Sequence, residues 1–334
     1  MKKLVLLIGV GRSGTSAFTG ILRELGFLVP QPEVEPDETN PRGFGEPRWA
    51  VDWHTRLLKS VRVTTIDSRP AAWAKTLAVG ERQEVADELR SWLEVQFVGT
   101  ERVVVKDPRL SWFLGLWQRC AADLGVEPTF VTMLRPPTEV LGSARQWYGN
   151  WQNDASRAAG WTNIMVHTEK EGRGSRRMFI HYERLLADWP GEIARLGRLI
   201  DAPDLLDVAA DRRDRVAAFV DPSLRRQTPG WDGLDVPAAL QQVVDRAWAA
   251  LEPLGDDEAG DRPTDGLDKV RADYDAFYAD TEAIAQSSVR AAQNARGKRS
   301  KPAPVESTAP AADQPATPAP KRKRRRRRFL RLRS

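Results

Sequence analysis

The chain has 334 residues, 41% hydrophobic and 29% charged, which supplies a sizeable core and excludes a chain disordered throughout. No run approaches the roughly 18 uninterrupted apolar residues of a membrane-spanning helix, and the single cysteine, Cys120, excludes an internal disulfide framework and fits a reducing cytoplasm. The net charge of +5 hides a division: residues 290–334 carry 15 Lys and Arg against 2 Asp and Glu, so the remainder carries 36 against 44 and is acidic.

In chain order, Lys2 and Lys3 followed by an apolar run imitate a secretory signal. However, Gly11-Arg12-Ser13-Gly14 follows without a small-residue cleavage site, so residues 4–8 are read as a buried strand and the protein as cytoplasmic. Residues 15–25 place Phe18, Ile21, Leu22 and Leu25 on one helical stripe, with Gly26 as the stop. Residues 30–47, rich in Pro, Glu and Gly, read as a loop, and helices are predicted near 48–59 and 81–97. A strand at 103–105, a helix at 110–123, a strand at 129–134 closed by Pro136-Pro137, a helix from about 138 and a strand at 178–181 follow. The alternation predicts an α/β fold with a doubly wound parallel sheet flanked by helices. Helices then dominate to about residue 289. In the last, Leu267, Val270, Tyr274, Phe277, Thr281 and Ile284 step by three and four, as in a docked helix or a coiled-coil seam.

This gives a folded domain over 1–289 and an unpacked Pro/Ala-rich linker and basic tail over 290–334. Residues 321–334 combine a Lys/Arg run with Phe329, Leu330 and Leu332, a pattern suited to a polyanion. The interleaved apolar residues favour an anionic membrane surface, which would place the protein peripherally on the inner membrane face, over nucleic acid; a merely solubilising appendage is the plain alternative.

The chemistry concentrates in Gly9-Val10-Gly11-Arg12-Ser13-Gly14-Thr15-Ser16, between the first strand and the first helix. There, backbone N–H groups and a helix N-terminus form an anion cradle. Against the nucleotide-triphosphate pattern GxxxxGK[ST], the glycines and Ser16 fit, but Thr15 stands where the lysine belongs. A P-loop nucleotide kinase is therefore a weaker reading.

Arg12-Ser13-Gly14-Thr15-Ser16 resembles the 5′-phosphosulfate loop of the sulfotransferase family, and Arg135 with Ser143 eight positions later resembles its 3′-phosphate signature. The resemblance covers roughly residues 1–230 and implies a P-loop-like fold and the co-substrate 3′-phosphoadenosine 5′-phosphosulfate, with no metal. It gives Gly11, Arg12, Ser13, Gly14, Thr15 and Ser16 to the donor's 5′ end, Tyr182 to adenine, and Arg135, Ser143, Arg225 and Arg226 to the 3′-phosphate. Lys106, opening Lys106-Asp107-Pro108-Arg109, resembles the family's catalytic lysine; with Arg12 it would neutralise the leaving group. The histidine that some members carry two residues later is Pro108 here. Asn40-Pro41-Arg42-Gly43-Phe44-Gly45-Glu46 resembles a segment of bacterial members that supplies a base, which selects Glu46, with Glu33, Glu35, Asp107 and His54 as rivals. Arg109 either holds an acceptor carboxylate or pairs with Asp107. By analogy, the acceptor is a hydroxyl of a carbohydrate or glycolipid. Trp147 and Trp151 share a helix face, for core packing or for a sugar, and His167 and His181 read as structural. The rival of another class is a noncatalytic nucleic-acid-binding or scaffold protein working through its basic tail.

Overall fold

A computed structural model describes residues 2–148, 152–220, 230–256 and 264–299. The chain forms two compact units, 1–283 and 284–334. Four parallel strands, β1 (Lys3–Ile8), β2 (Arg102–Lys106), β3 (Pro128–Leu134) and β4 (Arg177–His181), lie in the order β2-β1-β3-β4. Between them run α1 (Thr15–Glu24), α2 (Arg48–Ser60), α3 (Ala71–Gly80), α4 (Gln83–Gln96), α5 (Leu114–Asp123), α6 (Pro137–Tyr148) and α7 (Asp154–Glu171). After β4 come α8 (Tyr182–Ala187), α9 (Trp189–Leu199), α10 (Ala210–Phe219), α11 (Ala238–Leu251) and α12 (Asp265–Arg299).

The strands are apolar throughout because both faces are covered. Leu4, Leu6 and Ile8 of β1 join Val103, Val105 and Phe130 in a core capped by helices that include α2, α5 and α7. Val5 and Leu7 point the other way, joining Val104, Val131 and Ile180 under α1 and α9. This is period-two alternation in a doubly wound sheet, as the sequence predicted.

Two element assignments change. Residues 71–80, not assigned from the sequence, form α3; Ala72, Trp73, Thr76 and Val79 are buried, so this short helix carries little amphipathic signal. The helix expected over 110–123 is a 3₁₀ turn, Pro108–Phe113, followed by α5. Pro108 occupies the first turn and the Asp107 carboxylate accepts from the Arg109 amide at 3.0 Å, a cap that fixes the start earlier. In the last helix Leu267, Val270 and Tyr274 are buried and Phe277 is half-buried, whereas Thr281 is exposed. Within the first unit the seam therefore docks through its first turns only.

The register brings the site together. Leu7 pairs with Lys106, Ile8 with Thr132 and Leu134 with His181. Because all four strands are parallel, the glycine loop, Lys106, Arg135 and Tyr182 emerge at one edge. Crossovers from β1 and β3 leave in opposite directions, which makes this edge a topological switch point, where open α/β sheets bind ligands.

Candidate active site

The loop 9–16 turns because Gly9 (φ 146°) and Gly14 (φ 97°) adopt conformations closed to ordinary residues. At Gly14 the reason is also spatial: a Cβ there would lie 2.1 Å from the Tyr182 ring. The first-turn amides of Thr15 and Ser16 have no intrahelical acceptor, as at any helix start, and stand at the cavity.

Arg12 is a non-glycine residue at φ 74°, a strained conformation of order 1–3 kcal/mol. Its neighbours hold it there. Its carbonyl accepts from Arg135 Nη1 at 2.8 Å, its Nε donates to Ser143 Oγ at 3.1 Å, and its Nη1 donates to the Thr39 carbonyl at 3.1 Å. Its guanidinium also lies over Trp147 and Tyr148, and burial pushes the Tyr148 phenol up although Arg12 opposes the shift. Arg135 donates from Nε to the buried Glu139 carboxylate at 2.9 Å and lies over the Tyr182 ring, 4.7 Å from its centroid. Glu139 is the residue the sequence reading missed. Its signal was the i,i+4 spacing from Arg135 at the start of α6.

Lys106 ends β2 almost fully buried. Its ammonium donates to Glu46 Oε1 at 2.5 Å, the Phe44 carbonyl at 3.2 Å and Ser16 Oγ at 3.3 Å. Three donors meet three acceptors, so the buried charge is satisfied. Glu46 reaches it through a loop pinned by Val34 N–H donating to the Glu46 carbonyl at 2.8 Å. At Gly45 (φ 66°) a Cβ would sit 2.7 Å from Thr19, so the loop closes against α1 only without a side chain. Ser16 ties loop to helix, donating to the Phe44 carbonyl at 3.0 Å and accepting from Asn40 at 3.2 Å.

These groups surround one cavity of about 880 Å³, within the range of ligand sites. Gly11, Arg12, Gly14, Thr15 and Ser16 line it, as do Glu46, Lys106, Arg135, Ser143 and Tyr182. Ser13 is buried behind the loop, its Oγ without a hydrogen-bond partner among the described residues. Arg225 and Arg226, Trp151 and residues 321–334 lie outside the described residues. Trp147 lines the cavity.

The other base candidates fall elsewhere. Glu33 is held by Arg23 at 2.5 Å, and Glu35 is exposed away from the cavity lining. His54 and Asp107 are fully buried: His54 Nδ1 meets Asp107 Oδ2 at 2.7 Å, and His54 Nε2 accepts from the Trp117 indole at 3.0 Å. Burial alone raises a carboxyl pKa, but the hydrogen bond and charge of His54, with Arg109, outweigh it and hold Asp107 well below the usual range. Arg109 does pair with Asp107, Nη1 to Oδ1 at 2.7 Å, and also lines the cavity. Among the described residues no group of three His, Cys, Asp or Glu is arranged to hold a metal ion.

No protein-family model and no curated protein matches the chain. Among solved structures it is similar to the sulfotransferase domain from the Synechococcus PCC 7002 olefin synthase, at 16% identity and a TM-score of 0.43 over 75% of this chain and 96% of that one. The sulfotransferase domain from the curacin biosynthetic pathway is 14% identical at TM-score 0.42, with 75% and 98% covered. Sulfotransferase STF1 from Mycobacterium tuberculosis H37Rv is 15% identical at TM-score 0.40, with 75% and 77% covered.

Proposed function

We propose that the protein is a sulfotransferase that takes a sulfuryl group from 3′-phosphoadenosine 5′-phosphosulfate and gives it to an acceptor hydroxyl. One observation carries the reading: two separate anion-holding clusters open into a single cavity. The loop amides, Arg12 and Lys106 suit the phosphosulfate, while Arg135 and Ser143 suit a ribose 3′-phosphate. A nucleotide with anions at both ends explains both clusters; a simple triphosphate leaves Arg135 and Ser143 unused, and Thr15 offers it no lysine.

In this reading Glu46 accepts the hydroxyl proton as the acceptor oxygen attacks sulfur. The bond from sulfur to the bridging oxygen breaks, leaving a sulfate ester and adenosine 3′,5′-bisphosphate. Lys106 and Arg12 stabilise the charge left on the departing 5′-phosphate. The Lys106–Glu46 pair sets both groups at one point before substrate arrives.

The test is a thermal-shift and titration comparison of adenosine 3′,5′-bisphosphate, ATP with magnesium, and a short DNA duplex. Stabilisation by the bisphosphate alone supports the reading. Indifference to millimolar bisphosphate removes it, and preference for ATP-magnesium or for DNA points to the kinase or the scaffold. A carbohydrate or glycolipid as acceptor rests on the sequence resemblance.

A further inference from the structure

One face of α2 also walls the cavity. Arg48, Val51, Thr55, Leu58 and Lys59 line it, and at 1.5 Å per residue they extend over about 16 Å. Val63, Ile66 and Trp161 add further apolar lining. The charge is one-sided: eight Lys and Arg line the cavity against two acids, Glu38 and Glu46. This stands in a body, residues 1–289, where acids outnumber bases by 44 to 36.

Donor binding accounts for Arg12, Lys106 and Arg135. Arg42 is turned onto Phe219, and Arg157 faces Asp154 at 3.6 Å. Arg48, Lys59 and Arg109 remain. Among the described residues neither Arg48 nor Lys59 has an acidic partner.

Arg109 is fixed more firmly than a solvated arginine. Asp107 Oδ1 takes both its amide at 3.0 Å and its Nη1 at 2.7 Å, while Asp107 Oδ2 is held by His54, itself held by Trp117. The guanidinium keeps Nε and Nη2 without a protein acceptor among the described residues, in a cavity wall. Such a fork, preorganised from behind, suits a bidentate oxyanion. Three residues of chain put the Arg109 Cα within about 11 Å of the Lys106 Cα.

We infer that the acceptor is an amphipathic alcohol carrying a carboxylate or phosphate, with that anion on the Arg109 fork, in the positive field of Arg48 and Lys59, and its apolar chain along α2. Its hydroxyl then lies at Glu46 and Lys106, so the inference rests on the sulfotransferase reading for the reaction. Proton and leaving group go where that reaction sends them.

The experiment titrates the full chain with ω-hydroxylauric acid, its methyl ester and the monophosphate of the matching diol, with and without saturating adenosine 3′,5′-bisphosphate. At least one anion should bind tenfold or more tighter than the ester, and the better of the two identifies the group. Arg48→Gln with Lys59→Gln, both exposed positions, should cut that preference at least threefold while the melting temperature holds; Arg109→Gln should abolish it. Equal affinity for ester and anions, no binding by either anion, or a preference unchanged in the double variant overturns the inference. Failure of the bisphosphate to bind, with the anion preference intact, instead overturns the sulfotransferase reading and leaves an anion-binding cavity.

Discussion

Arg135 and Glu46 sit in the same cavity but are assigned opposite duties, and substitution separates them. Arg135 donates to Glu139 and to the Arg12 carbonyl, so Arg135→Ala takes a charged hydrogen bond from a buried carboxylate and relaxes the glycine loop. Arg135→Lys keeps the charge and loses the fork. A lost charge-assisted bond of about 1.5–3 kcal/mol corresponds to a weakening of roughly 10- to 150-fold. Both variants should therefore bind adenosine 3′,5′-bisphosphate at least tenfold more weakly by calorimetry, and unchanged binding by the lysine variant would remove Arg135 from the 3′-phosphate. Glu46→Gln keeps an oxygen for Lys106 but cannot take a proton. Its bisphosphate affinity should hold within a few-fold while kcat falls by roughly 10²–10⁴; unimpaired turnover would place the base elsewhere. Asp107 gives a pH test. Its folded pKa lies below the unfolded value of about 3.9, so its stabilisation is present above that pH and is lost as pH falls through and below it. In urea unfolding, Asp107→Asn should be clearly less stable than wild type near neutrality, with the gap closing below about pH 4. A gap constant to the lowest accessible pH would show that Asp107 acts by packing rather than by charge.

At the scale of elements, the crossover between β1 and α1 is the most demanding piece, because Gly14 must both turn the chain and pass under Tyr182. Gly14→Ala should lower the melting temperature by several degrees, the effect of about 1–3 kcal/mol of backbone strain plus displacement of the ring. It should also weaken bisphosphate binding more than Ser13→Ala does, since Ser13 lies behind the loop. Equal effects on binding would mean that Tyr182 has nothing to do with the nucleotide. The same segment shows why so much was legible in the sequence. Strand ends, glycine spacing and the polar residue after each strand are local in the chain, and parallel pairing turns four local signals into one edge. What stayed hidden depends on contacts between distant segments. His54 reads as a loose candidate base until Asp107 and Trp117, more than fifty residues away, close around it. The α2 wall is invisible because Arg48, Val51, Thr55, Leu58 and Lys59 look like an ordinary mixed surface stripe until the cavity is seen beside them. And α3 escapes because a short helix buried on several sides has little polar face to contrast with.

For the whole molecule, the acidic body and the basic end divide the labour by charge. A negatively charged body repels anionic substrates except where local cations outweigh it, and the cavity, with eight bases against two acids, is such a place. Among the described residues no helix is long and apolar enough to cross a membrane. Residues 321–334 carry ten Lys and Arg with Phe329, Leu330 and Leu332 between them. At an anionic surface each basic residue is worth up to about 1 kcal/mol, and the effect fades within a Debye length. We propose that this end brings the enzyme to an anionic membrane face, where an amphipathic acceptor would be found. Sedimentation with phosphatidylserine-containing vesicles should capture the full chain at physiological salt and release it at high salt, whereas phosphatidylcholine vesicles should not capture it. A chain ending at residue 320 should stay in solution with its bisphosphate affinity unchanged. If it binds the vesicles as the full chain does, the membrane role does not belong to this end; if neither binds vesicles but the full chain alone shifts short DNA in a gel, the polyanion is nucleic acid.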